Sequence, residues 1–110
     1  MPTVAELFDA MPKSFDPQAA AGVDAVVLFD ITGPGGGKFY ATIRDRGLSI
    51  VLGSGETPDL TISATAQDYI DIASGALNEQ LAFMTGRITA RGDTRLAMKM
   101  PRIFPRRPMA

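Results

Sequence analysis

The segment covering residues 81–100 constrains the fold most, because the spacing of its apolar residues changes twice within it. Residues 81–84 have apolar positions at the i, i+3 spacing of a helix, and Gly86 follows as a helix-ending residue. Residues 87–91 then alternate polar and apolar side chains, which is typical of a half-buried strand. Asp93 can cap a second helix, whose apolar face consists of Leu96, Ala97 and Met100. This order predicts apolar helices lying over one face of a sheet.

Four earlier segments alternate in the same way and predict four more strands. Their apolar members are Val27, Phe29 and Ile31; Phe39, Ala41 and Ile43; Leu48, Ile50 and Leu52; and Leu60, Ile62 and Ala64. The intervening residues are mostly polar, so one face of the sheet is expected to be buried and the other to face water.

Helices are predicted over residues 4–11, over residues 16–22, and after Thr65, in addition to the two helices of the first segment. The predicted fold is therefore α+β: a five-stranded, mainly antiparallel sheet with about five helices covering one face. Its length of 110 residues suits a single domain, residues 1–110, in which residues 101–110 form a basic, proline-rich tail.

The composition offers few groups for catalysis. The chain contains no cysteine and no histidine, which removes thiolate nucleophiles and the commonest general base and metal ligand. Ser54 therefore has no base to activate it. The glycine-rich segment ending at Lys38 lacks the spacing of a phosphate-binding loop and leads into a strand. We accordingly predict no catalytic residues, no metal site and no cofactor; an enzyme would need a carboxylate pair in its pocket.

Three groups of motifs occur in a characteristic order. They are Phe29-Asp30-Ile31-Thr32-Gly33 with Gly36-Gly37-Lys38-Phe39, then Asp59-Leu60-Thr61-Ile62-Ser63, then Ala82-Phe83-Met84 followed by Gly86, Gly92-Asp93 and Leu96-Ala97-Met98-Lys99. In this order they resemble the sterol carrier protein 2 (sterol-binding domain) family, over roughly residues 20–104. The resemblance implies a non-catalytic domain that binds and transfers a lipid-like ligand, such as a sterol, a fatty acid or its acyl thioester, or an isoprenoid.

The apolar residues have two interpretations. They could form an ordinary packed core, or they could line a lipid-binding cavity between sheet and helices. The resemblance, together with methionines concentrated near the C-terminus, favours the cavity. The predicted lining residues are Phe29, Ile31, Phe39, Ile43, Ile62, Ile70, Phe83, Met84, Leu96, Met100, Ile103 and Phe104. The alternative function is an accessory domain that docks on a partner enzyme through an apolar groove.

Charge is unevenly distributed along the chain. Residues 1–93 have a balance of −6, whereas residues 94–110 carry five basic side chains and no acidic ones. We therefore expect transient contact with an anionic membrane surface through Arg102, Arg106 and Arg107, although a solvated basic tail is the simpler interpretation. The acidic body argues against nucleic acid, and the basic segment contains a single aromatic residue, Phe104.

Pro101 is expected to end the last helix near Met100, because the residue before a proline disfavours the helical region. Ile103 and Phe104 should then fold back over the cavity as a lid, or simply seal the edge of the core.

The N-terminus shows no signal-peptide pattern, so a cytoplasmic location is the default expectation. The oligomeric state cannot be predicted.

Overall fold

A computed structural model describes residues 3–104 of the chain. The elements, in chain order, are helix α1 (Val4–Ser14), strands β1 (Ala25–Thr32), β2 (Gly37–Arg44), β3 (Gly47–Leu52) and β4 (Leu60–Thr65), helices α2 (Ala66–Ser74) and α3 (Glu79–Met84), strand β5 (Ile88–Gly92) and helix α4 (Thr94–Ile103). Polar side chains cap the helices: Thr3 forms a capping box with Glu6 at α1, and Asn78 and Asp93 accept backbone N–H bonds at α3 and α4.

The described strands form one five-stranded sheet in the order β3-β2-β1-β4-β5. Strands β1 and β4 are parallel, and the other three neighbouring pairs are antiparallel. Phe29 in the central strand lies directly opposite Phe39 on one side and Ile62 on the other. The α+β prediction, with a mainly antiparallel sheet, is therefore confirmed.

One hydrophobic core joins the inner face of the sheet to the four helices of residues 3–104. Helix α1 contributes Val4 and Phe8, and helix α2 contributes Ile72. Helix α4 contributes a stripe whose members follow helical spacing, namely Leu96, Met100 and Ile103. The helices thus cover one face, as the alternation of the strands predicts.

The opposite face is less exposed to water than expected. Val26 and Leu28 in β1 point to this face, yet only 2% and 8% of their surfaces are accessible. The connection from β3 to β4 crosses over β2 here, with Gly55 packed so closely on the Tyr40 ring that a Cβ atom would clash. The crossing is required because β3 and β4 are parallel strands separated by two others.

Residues 16–22 form a series of turns instead of the predicted helix, so residues 3–104 contain four helices, not about five. The Asp16 side chain accepts N–H bonds from Gln18 and Ala19, and Gly22 has a left-handed φ of 78°. The start and stop signals are therefore present, but the segment between them is too short to propagate a helix.

The expected end of α4 at Met100 is wrong, since the helix passes through Pro101 and ends at Ile103. A proline inside a helix removes one backbone hydrogen bond and costs about 3 kcal/mol. Here Ile103 is completely buried, and its carbonyl oxygen accepts the Asp16 N–H at 2.8 Å. These tertiary contacts offset the proline and carry the helix one turn further.

Candidate functional site

Phe8 anchors the first half of the helical layer to the sheet. Its ring stacks on Phe39 with centroids 4.0 Å apart and on Tyr69 at 5.1 Å, with interplanar angles of 6° and 5°. Its edge meets Phe29 at 5.1 Å. Because both of its faces are covered, Phe8 joins α1, α2 and the sheet in one aromatic stack.

Helix α4 covers the second half of the sheet, over β4 and β5. Leu96, Met100 and Ile103 are buried there in the same core as Ile62 and Ile88. These side chains are aliphatic or thioether groups, and no aromatic pair involving α4 residues lies over the sheet in the described part of the chain. Among them Met100 has the flexible thioether chain, whose packing adapts more readily than that of stacked rings.

Polar contacts hold α4 at its two ends. At its start the cap residue Asp93 donates its N–H to the Asp59 carbonyl at 2.9 Å. The preceding Gly92 has a φ of 111° and lies too close to the Asp59 carbonyl for any side chain. At its end the Ile103 carbonyl accepts the Asp16 N–H bond.

An aromatic contact reinforces the end of α4. The Phe104 ring lies 5.6 Å from the Phe15 ring, tilted by 50°, so the chain after α4 contacts the residue that caps α1. We call this contact, together with the Asp16–Ile103 hydrogen bond, the latch. Ile103 is therefore buried as the last residue of α4, and Phe104 alone follows the helix and packs on the body of the protein. The sequence predicts this contact for both residues, but from a segment after the helix.

The structure brings together ten of the twelve residues predicted to line a cavity. Eight are buried in the core: Phe29, Ile31, Phe39, Ile43, Ile62, Leu96, Met100 and Ile103. Ile70 and Phe104 are partly buried against it. The sequence interpretation omitted Phe8 and Tyr69, whose rings complete the layer; the amphipathic spacing of α1, with Phe8 on its apolar face, was the available signal.

Phe83 and Met84 do not join this group. Their exposed fractions are 41% and 81%, and Leu81 on the same short helix is 55% exposed. Ala82 is the α3 residue that is fully buried. A small side chain lets a short helix approach the sheet closely, and this choice of face turns its larger apolar neighbours outward. We call Leu81, Phe83 and Met84 the α3 patch.

Two surface pockets in residues 3–104 lie at the edge of the apolar layer. The first, of about 230 Å³, separates residues 22–25 from the start of α4, where Arg95 and Lys99 face Asp24 and Asp93. The second, of about 480 Å³, lies between residues 22–24 and the β2–β3 turn. Both are open to solvent, and charged residues make up at least half of each lining, although Leu96 of the α4 stripe borders the first. Neither is the apolar cavity expected between sheet and helices.

Charged side chains outside the core are mostly solvated. Five basic residues of the C-terminal part are exposed: Arg87, Arg91, Arg95, Lys99 and Arg102. On the opposite face of the sheet, Arg44 bridges Glu56 at 2.6 Å and Asp24 at 2.8 Å. The hydrogen bond and charge of Arg44 lower the pKa of Glu56, and the two carboxylates raise the pKa of Arg44. Arg106 and Arg107 lie outside the described residues.

The chain matches the sequence model of the SCP-2 sterol transfer family over residues 5–105. The chain belongs to this family. It is 27% identical over 102 residues to the human protein "Hydroxysteroid dehydrogenase-like protein 2", a match that covers 92% of this chain and 24% of that protein. The chain therefore spans about a quarter of the length of this curated relative.

Solved structures of family members share the fold. The sterol carrier protein domain 2 of Helicoverpa armigera has a TM-score of 0.68 and 30% identity, covering 86% of this chain and 76% of that one. Palmitated SCP2L2 from Aedes aegypti has a TM-score of 0.79 and 21% identity, covering 99% of this chain and 100% of that one. Among residues 3–104, none of the helices has the length and apolar character needed to cross a bilayer.

Proposed function

We propose that this chain is a non-catalytic carrier that binds a lipid-like molecule between the inner face of the sheet and helix α4. The observation that carries the proposal is the construction of α4, which has a continuous apolar stripe over the sheet and polar contacts at its two ends. Membership of a sterol transfer family supports the ligand class. The absence of histidine and cysteine from the sequence supports carriage without turnover.

The ligand enters by displacement of α4. Asp93 and Gly92 are fixed to Asp59, so this end serves as the hinge. At the other end, opening the latch breaks one backbone hydrogen bond and one ring contact. An acyl chain or sterol ring system then replaces the packing of Met100 and Ile103 on the sheet, and the latch acts as a lid.

The energetics favour an occupied site. An empty cavity of ~300 Å³, the low end for a ligand pocket, would cost on the order of 7 kcal/mol. This is comparable to the total stability of a small domain. Burying ten carbons of an acyl chain contributes up to roughly 8 kcal/mol. The apolar layer can therefore close on itself without ligand and open around one.

The ligand is proposed to be a long-chain fatty acid or its thioester, with sterols and isoprenoids as the other members of the class. The solved relative from Aedes aegypti is described as palmitated, which supports an acyl chain. Native mass spectrometry of freshly purified protein, followed by lipid extraction, would identify which of these molecules is retained.

Titration with a fluorescent fatty acid tests the proposal with a matched pair of variants on one helix. Met100→Gln places an amide in the apolar layer, because Met100 is 9% exposed, whereas Met98→Gln alters a side chain that is 80% exposed. We expect saturable micromolar binding, weakened at least about tenfold by Met100→Gln and unchanged by Met98→Gln. Circular dichroism checks that both variants fold. Absence of a saturable signal, or equal binding by the two variants, would contradict carriage, and hydrolysis of an added acyl thioester would contradict the non-catalytic part.

Docking on a partner enzyme is the second candidate, because the chain spans only a quarter of its longer relatives. The α3 patch provides exposed apolar surface for such contact.

Membrane contact is a further part of the carrier proposal. Arg102 is exposed at the end of α4 and lies close to the latch through which a ligand would pass.

A further inference from the structure

The two edge strands of the sheet, β3 and β5, differ in how well they are protected against pairing with a strand of another molecule. Strand β5 contains Arg91 and is flanked by Arg87 and Asp93, and charges of this kind discourage edge-to-edge contact. Strand β3 has no such protection, since residues 47–55 contain no charged residue and no proline. Val51 and Leu52 in β3 are 49% and 65% exposed. In the described part of the chain β2 is the only strand that pairs with β3.

The hydrogen-bonding phase of β3 shows which backbone groups are free. Gly53 donates its N–H to the Lys38 carbonyl at 2.8 Å, so residues 53 and 38 form a hydrogen-bonded pair. Alternation along an antiparallel ladder then directs the N–H and C=O groups of Ser49 and Val51 toward β2. The same alternation directs those of Leu48, Ile50 and Leu52 away from the sheet.

These outward groups are complementary to a second copy of the same strand. In an antiparallel twofold pairing centred on Ile50, Ile50 opposes Ile50 of the other copy and Leu48 opposes Leu52, so every outward N–H meets an outward C=O. The side chains match as well, because Leu48, Ile50 and Leu52 belong to the inner apolar face. Val51 on the outer face would lie beside Ser49, and the paired positions of β3 bring no charges together.

We propose that β3 is a self-association edge, through which two copies of this chain form a continuous ten-stranded sheet with both helical layers on one face. The contact is short, so the dimer is weak, with a dissociation constant on the order of tens of micromolar. The proposal is independent of lipid binding, because the edge lies at the opposite end of the sheet from β4 and β5, which α4 covers.

Two proline variants test the edge. Leu52→Pro removes an N–H that makes no bond within the molecule, and edge strands tolerate proline at such positions. Ala90→Pro is the matched control, because the Asp93–Asp59 bond sets the β5 phase and directs the Ala90 N–H outward from the other edge. Sedimentation equilibrium of lipid-free protein should show a dimer for the parent, a dissociation constant raised at least about tenfold for Leu52→Pro, and no change for Ala90→Pro.

Crosslinking provides a second measurement that does not depend on tolerance of proline. The chain has no cysteine, so the double substitution Ser49→Cys and Val51→Cys introduces the only thiols. Opposed residues of a non-hydrogen-bonded pair have Cα atoms about 4.5 Å apart, which is within the range that a disulfide spans. Mild oxidation should give a covalent dimer, whereas Ala90→Cys on β5, which keeps Arg91, should not. A monomeric parent at about 200 µM, an unaffected Leu52→Pro dimer, or crosslinking through β5 would overturn the proposal.

Discussion

Helix α1 is held to the sheet by stacked rings, whereas helix α4 is held by aliphatic and methionine side chains and by contacts at its ends. In the first half of the helical layer, Phe8 contacts Phe29, Phe39 and Tyr69 with defined interplanar angles. In the second half, Met100 and Ile103 lie over β4 and β5, and the latch secures the end of the helix. Rings fix one geometry, while flexible side chains repack around different shapes.

This difference indicates that the two halves of the helical layer have different roles. The aromatic half keeps the sheet and the first two helices in one arrangement. The proposed function makes the aliphatic half the part that opens. Elements that move to admit a ligand belong to the less stable parts of a fold, where few contacts must break. Substitutions in the two halves should therefore have different consequences for stability and for ligand release.

The largest expected effect is that of Phe8→Ala. Phe8 is 2% exposed and both of its ring faces are covered, so truncation removes the stack and leaves a cavity. We expect the free energy of unfolding to fall by about 3–5 kcal/mol in urea denaturation. Phe83→Ala is the control, because Phe83 is 41% exposed, and it should cost less than about 1 kcal/mol. Similar losses from the two variants would show that the rings do not anchor the layer.

Phe104→Ala should have a smaller effect on stability and a clear effect on ligand release. Its partly buried ring contacts Phe15 at 5.6 Å, and an aromatic pair contributes about 0.5–1.5 kcal/mol. If this contact closes the opening, dissociation of a fluorescent fatty acid should accelerate by roughly 2- to 10-fold. Stopped-flow transfer to acceptor vesicles measures the rate.

The same control variant, Phe83→Ala, separates a lid from a core seal. It removes a ring that takes no part in the latch, so it should leave the release rate unchanged. If Phe104→Ala lowers stability while release stays at the parent rate, Ile103 and Phe104 only seal the edge of the core and the lid interpretation is wrong.

The strands and their buried faces could be predicted because alternation is a local property. Spacing alone predicts that Phe29, Phe39 and Ile62 share one face, and the structure places Phe39 and Ile62 on either side of Phe29. The stripe of α4 was predictable for the same reason, since Leu96 and Met100 have helical spacing.

The features that the sequence does not predict depend on contacts between residues far apart in the chain. Nothing near Pro101 in sequence shows that Asp16 will hold the helix beyond it. The orientation of α3 depends on how closely Ala82 approaches the sheet. A preference for burying large apolar residues predicts instead that Phe83 and Met84 face the sheet, but both are exposed. The covered outer face follows from the path of residues 53–59, which is set by strand order and not by local pattern.

The smallest expected effect concerns this outer face, which the proposed function does not use. Glu56 and Arg44 join the crossing segment to β2, and Arg44 lowers the pKa of Glu56 below its ordinary value of 4.5. A carboxylate whose pKa is lowered by folding stabilises the protein above its unfolded pKa, and this contribution disappears as the pH falls through the lowered value. Glu56→Gln should therefore reduce the melting temperature slightly at pH 7, with the difference vanishing as the pH falls through the lowered pKa of Glu56. The pair is exposed, so added salt should also shrink the difference.

Arg44→Gln provides the matched background for this measurement. Without the guanidinium, the pKa of Glu56 loses the cause of its shift, and Glu56→Gln should no longer change the pH dependence of melting. Fatty-acid affinity should be the same in all of these variants, because the ion pair lies on the face opposite α4. A change in affinity would show that the outer face is coupled to the helical layer, and the contrast between the two helical halves would then be incomplete as an account of ligand entry.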